Sequence, residues 1–118
     1  MTEEWKSKGF YQWIADVLEQ LSWDPARQLD YIRAAKVGAD EIALQFDDAF
    51  QLVRGRVHDG SLNHEALQAL LPVDAQLRSM TEEGPDLWSN EALSADQKWQ
   101  ELRITAERAK AEFKRALG

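Results

Sequence analysis

The chain has no cysteine, which excludes disulfides, thiolate metal sites and thiol nucleophiles together. Histidine is nearly as scarce. His58 and His64 are the only two, and neither forms a His-x-x-x-His, His-Glu-x-x-His or Glu-x-x-His spacing. The common zinc-hydrolase and di-iron bundle patterns are therefore absent, and no metal ligand set is assigned. The six glycines are scattered, with no Gly-x-x-x-x-Gly-Lys-Ser/Thr cradle for phosphate and no Gly-x-Ser-x-Gly elbow for a serine nucleophile. No apolar run approaches the ~20 residues that a membrane helix needs. The opening MTEEWKSKGFY lacks the basic-then-apolar pattern of a signal peptide. A cytoplasmic location is expected, without catalytic residues, cofactor or membrane contact.

The composition fits a folded domain. Apolar residues make up 44% and charged residues 30% of 118 positions, enough for one self-sufficient hydrophobic core over residues 1–118. Five tryptophans are many for this length, and indoles serve both cores and interfaces.

Apolar residues recur at three- and four-residue steps, the period of a helix with one buried face. Phe10, Trp13, Ile14, Val17, Leu18 and Leu21 form the first such stripe. Asp24 and Pro25 then fit the cap and first position of a second helix, which Gly38 is expected to end. Ile42, Phe46, Ala49, Phe50, Val53 and Val57 mark a third helix from Glu41 to about His58, with Asp40 as its cap and DGS as its stop. A fourth starts after Ser61 or Asn63 and is expected to break at Pro72, where the ring removes a donor and clashes with the preceding turn. Residues 82–93 read as a loop with one or two helical turns. Ser94-Ala-Asp-Gln97 has capping-box spacing and is expected to open a final helix with Trp99, Leu102, Ala106, Ala109, Phe113 and Leu117 as its seam. No period-two alternation occurs, so the fold is all-α, a bundle of about five main helices.

The stretch QFDDAF places Asp47 and Asp48 side by side. Successive helical residues are about 100° apart, so the pair cannot converge on one reacting atom. Asp48 is expected opposite the core stripe and Asp47 on its flank, and Leu44 and Leu52 raise the expectation that this helix is covered on a second face, with Asp48 in a polar groove. Both carboxylates belong to an acidic middle: from Val37 to Asp96 there are twelve carboxylates and three arginines, a net −9. The last helix is basic, and its strip is expected either to be solvated or to dock on the acidic middle of the same chain or a second copy.

A helix-turn-helix at Ala34-Ala-Lys-Val-Gly38 has suitable spacing. Its second helix would carry Asp40, Glu41, Asp47 and Asp48 towards phosphates, so nucleic acid is not expected as a partner. Trp5, Trp88 and Ile104 lie off the seams, which suggests a protein-binding or homodimer surface, unless the loop and N-terminus fold back over the rings.

The leading expectation is a non-enzymatic interaction protein. It would bind a basic protein through an acidic surface of the third helix, with Asp47 and Asp48, and of the 82–96 loop, in the manner of an immunity protein or antitoxin, or self-associate through Trp5, Trp88 and Ile104. The alternative is a small-ligand binder or enzyme with a pocket formed by Trp13, Phe46, Phe50 and Trp99, made polar by Asp47 and His58.

Overall fold

The computed structural model describes residues 2–117, with side-chain surroundings from Gly9 onward; Trp5 lies outside the described side chains. Six helices and one 3-10 turn account for the described chain, with no strand among the described residues. They are α1 (Thr2–Ser22), α2 (Pro25–Ala35), α3 (Asp40–His58), α4 (His64–Glu83), the 3-10 turn Pro85–Trp88, α5 (Asn90–Ala95) and α6 (Gln97–Leu117). Five of these helices are long, as the periodicity predicts.

The four longest, α1, α3, α4 and α6, pack side by side in the cyclic order α1–α3–α4–α6. Asn63 Nδ2 donates to the Ala116 carbonyl and Gln76 Nε2 to the Lys98 carbonyl, so α4 and α6 run antiparallel. The pieces α2 and α5 pack together. They belong to the α1–α3 and α4–α6 connections, which meet at one end of the bundle. One continuous core fills the centre, including Ile14, Leu18, Ile42, Phe46, Phe50, Leu70, Met80, Trp99 and Phe113.

Local chemistry explains most boundaries. Asp24 accepts a hydrogen bond from the Arg27 backbone N–H at 2.9 Å and Pro25 occupies the first turn. Asn63, not Ser61, caps α4, accepting from the Ala66 N–H at 2.9 Å. Asp59 accepts from the Ser61 N–H at 2.9 Å, and Gly60, with φ of 84°, completes the DGS turn.

Four expectations are corrected. The second helix ends at Lys36, not Gly38. Lys36 adopts the left-handed conformation (φ 59°, ψ 44°), its N–H bonds the Arg33 carbonyl, and the Val37 N–H bonds that of Ile32, the paired bonding of a Schellman stop. A side chain with a Cβ is strained there. Lys36→Gly is therefore expected to stabilise the fold by about 0.5–1 kcal/mol, the relief being partly offset by the larger chain entropy of glycine when unfolded. Urea denaturation measures this; an unchanged or lowered midpoint contradicts it.

Second, Asp40 is already helical and Ala39 precedes it without a side-chain cap. The carboxylates of Asp40 and Glu41 instead sit in the first turn, where the helix dipole favours them. Third, α4 does not break at Pro72 but runs through it to Glu83. Pro72 is exposed and lines the outer groove between α4 and α6, so it forfeits one backbone bond without disturbing the core-facing side. Fourth, Ser94 belongs to α5. The chain turns at Asp96, whose extended backbone and side-chain acceptance from the Lys98 N–H at 2.8 Å start α6.

Candidate functional site

Asp47 and Asp48 both lie exposed on α3, as the angular reading requires. Ile42, Phe46, Ala49, Phe50 and Val53 turn the opposite side of the helix into the core. Among the described residues neither aspartate takes part in an ion pair or a side-chain hydrogen bond. Leu44 is 55% exposed and Leu52 is 52% exposed, so the second face of α3 is not covered. The expectation of Asp48 in a closed polar groove is corrected: it stands in the open, flanked at four-residue steps by two solvent-facing leucines.

A concavity of about 360 Å3 lies between α3 and α4, with Ala43, Phe46 and Leu77 along its floor and exposed Leu44 together with Asp47, Asp74, Arg78 and Glu82 around its rim. Arg78 is held by Asp74 at 3.0 Å in a pair one helical turn apart. Three carboxylates therefore surround one already engaged arginine. Leu71, also exposed, projects from the α3-facing flank of α4 further along. An apolar hollow with an anionic rim suits a cationic amphipathic partner: its apolar side chain fills the floor while Lys or Arg meets the rim.

The bundle geometry also decides where the basic strip of α6 can act. Because α4 and α6 are antiparallel, Arg108–Arg115 lie far from the 84–96 connection, towards the other end of a body 46 Å long. Among the described residues Lys98 is the α6 cation that ion-pairs with the acidic middle, at 3.7 Å from Glu83, while Arg108 and Arg115 share a groove with Glu65 without pairing to it. Lys110 instead reaches Glu19 of α1 at 2.8 Å, and Arg115 pairs with Glu112 at 3.0 Å. The Lys110 ammonium holds the Glu19 carboxyl below its ordinary range, and hydrogen bonds from Ser61 do the same for Asp59. Both depressed groups favour the folded state above the usual carboxyl range and lose that effect as the pH falls through their lowered values.

The off-seam residues separate. Ile104 is 48% exposed on the outer side of α6. Trp88 is not a free ring: it is half-buried, meeting Trp99 edge-on with centroids 5.5 Å apart, so the loop folds back over the core.

The six residues suggested for a ligand pocket do not share one. Phe46, Phe50 and Trp99 are core residues, while Trp13 is 37% exposed. Only Phe46 and Asp47 line the same hollow. His58 lines another with His64, Arg54 and Leu67, and among the described residues no group of three or more His, Asp or Glu could hold a metal ion. An open groove of about 590 Å3 between α4 and α6, floored by Ala69, Pro72, Ala109 and Ala116, gathers none of the six. Its rim mixes Glu65 and Glu112 with Arg108 and Arg115, so it lacks the uniform sign of the α3–α4 face.

Sequence reasoning missed Gln28, which is fully buried despite its polarity. Its Nε2 donates to the Gln20 and Leu21 carbonyls at 3.0 and 3.1 Å, and its Oε1 accepts from Arg103 Nε at 2.9 Å. Arg103 also donates to the Leu93 carbonyl, and burial lowers its pKa. This node ties α1, α2, α5 and α6 together at the end of the bundle where α2 and α5 meet. No described helix is long and apolar enough to cross a membrane. No protein-family model, curated protein or solved structure matches the chain.

Proposed function

We propose that this protein is a non-enzymatic interaction module whose acidic α3–α4 face binds a basic protein partner, as immunity proteins and antitoxins mask cationic targets. One observation carries the reading: Asp47 and Asp48 are exposed and unpaired among the described residues, and Asp47 lines, with exposed Leu44, an acid-rimmed apolar hollow. Carboxylates that serve the fold itself are usually paired or capping. These do neither, so their charge is free to steer a cation and their neighbouring leucine to be covered by it. The same face would repel nucleic acid, which keeps a DNA-binding role unfavourable.

Parallel affinity isolation with wild type and an Asp47→Lys/Asp48→Lys variant tests this. Both sites are exposed, so the double change should alter stability by no more than about 1 kcal/mol. The expected result is a strongly basic protein recovered by wild type, released by moderate salt, and lost with the variant. Equal recovery by both forms would refute the assignment.

A further inference from the structure

A second feature adjoins this face on the other side of α3. Trp13, Asp16 and Gln20 of α1, Trp23 at the α1–α2 corner and Gln45 of α3 line a slot of about 230 Å3. Trp13 is 37% exposed and Asp16 is exposed. Trp23 is half-buried, set edge-on against Tyr31 with centroids 6.2 Å apart, and the Arg27 guanidinium lies 4.0 Å from its ring centroid. The Trp23 indole thus already attracts a guanidinium within the chain. Asp16 accepts from Gln12 Nε2 at 2.8 Å and has no cationic partner among the described residues. Gln45 Nε2 is committed to the Tyr31 hydroxyl at 2.8 Å, which leaves the amide oxygen as the atom able to accept from a ligand.

Two indoles, the Asp16 carboxylate and an amide oxygen around a small slot are a recognition set for an organic cation. Glu19 on the same lining is already paired with Lys110 and the Trp23 ring already carries Arg27, so Trp13 and Asp16 are the groups left without a cation among the described residues. Indole faces attract delocalised positive charge, and a guanidinium offers five donors for the carboxylate and amide. An anion would meet Asp16, and the space is below the ~300 Å3 at which drug-sized ligand sites begin. One side-chain head fits. Gln45 lies next to Leu44 and three residues from Asp48, so a partner crossing α3 would meet slot and acidic face together.

We propose that the Trp13–Trp23–Asp16 slot receives an arginine side chain of the basic partner. This inference rests on the interaction reading above and supplies its specificity: the acidic face attracts positive charge in general, whereas the slot selects a planar cation.

Titration with a hepta-arginine peptide at constant ionic strength tests it, followed by calorimetry and by the indole N–H resonances of Trp13 and Trp23. Wild type, Asp16→Asn, Trp13→Leu and Asp47→Asn/Asp48→Asn are compared. Asp16→Asn changes an exposed group, so it separates binding from folding even if Trp13→Leu is destabilised. The expected result is a shift of both indole resonances in wild type and about tenfold weaker binding for each slot variant. If slot variants bind like wild type while the Asp47/Asp48 variant binds weakly, the slot is overturned and the acidic-face reading stands. If only the slot variants weaken, the slot stands and the face loses its role. If wild type does not bind the peptide, both fall.

Discussion

Trp99→Ala is expected to destabilise the protein by about 4 kcal/mol, within the range for deleting a buried aromatic. Trp99 is 0% exposed at the start of α6. Its Nε1 donates to the Leu87 carbonyl at 2.7 Å, and its ring packs nearly perpendicular to that of Trp88. Alanine would leave a cavity, an unsatisfied carbonyl, and no support for the 3-10 turn that carries Trp88. Small domains have roughly 5–15 kcal/mol in total, so the change removes a large share of the stability and should lower the melting temperature by roughly 10–25 °C. Thermal denaturation followed by circular dichroism measures this. A melting temperature within a few degrees of wild type would contradict the packing described. The more conservative Trp99→Phe keeps the ring but loses the donor, and should cost about 1–3 kcal/mol.

The second large effect belongs to Gln28. Gln28→Ala removes two donations to the Gln20 and Leu21 carbonyls and leaves Arg103 Nε without its acceptor. Unsatisfied buried polar groups cost about 1–3 kcal/mol each, more when charged, so the expected loss is on the order of 3 kcal/mol. The pairing predicts a particular non-additivity. Arg103→Met alone also destabilises, but Gln28→Leu/Arg103→Met should cost clearly less than the two single changes together, because neither partner is then stranded. Strict additivity in urea denaturation would mean that the two side chains do not act as one node.

The long seams were legible because each needs only its own periodicity. Ile42 to Val53 on α3 and Trp99 to Phe113 on α6 are buried as the three- and four-residue spacing predicts. The caps at Asp24 and Asn63 were legible for the same reason, being local hydrogen bonds. Pro72 misled because its cost depends on where it faces: on the outer side of a helix packed by neighbours, one missing bond does not end the helix. Ser94 misled because matching spacing does not fix where the chain turns: Ser94 is itself helical in α5, and the extended backbone at Asp96 marks the start of α6.

Gln28 was beyond local reasoning altogether, and for Trp88 the sequence left exposure and a folded-back loop as open alternatives. The partner of Gln28 lies 75 residues away, and the burial of Trp88 depends on how the connection folds over Trp99. On the candidate face, helical angles correctly placed Asp47 and Asp48 outward but could not show that Leu44 and Leu52 remain uncovered. That required knowing that α3 has neighbours only at its flanks. The slot was illegible as well, since it needs Trp13 of α1 and Gln45 of α3 to meet where those two helices pack side by side.

The proposed function stands on the α3–α4 face being the surface that a partner covers. Amide hydrogen exchange of the protein alone and in complex with the basic partner recovered by affinity isolation tests this most directly. Protection on binding is predicted over residues 43–48 and 78–82, which border the acid-rimmed hollow, and should fade with rising salt. Protection confined to the α4–α6 groove or to the C-terminal half of α6, with residues 43–48 unchanged, would contradict the account.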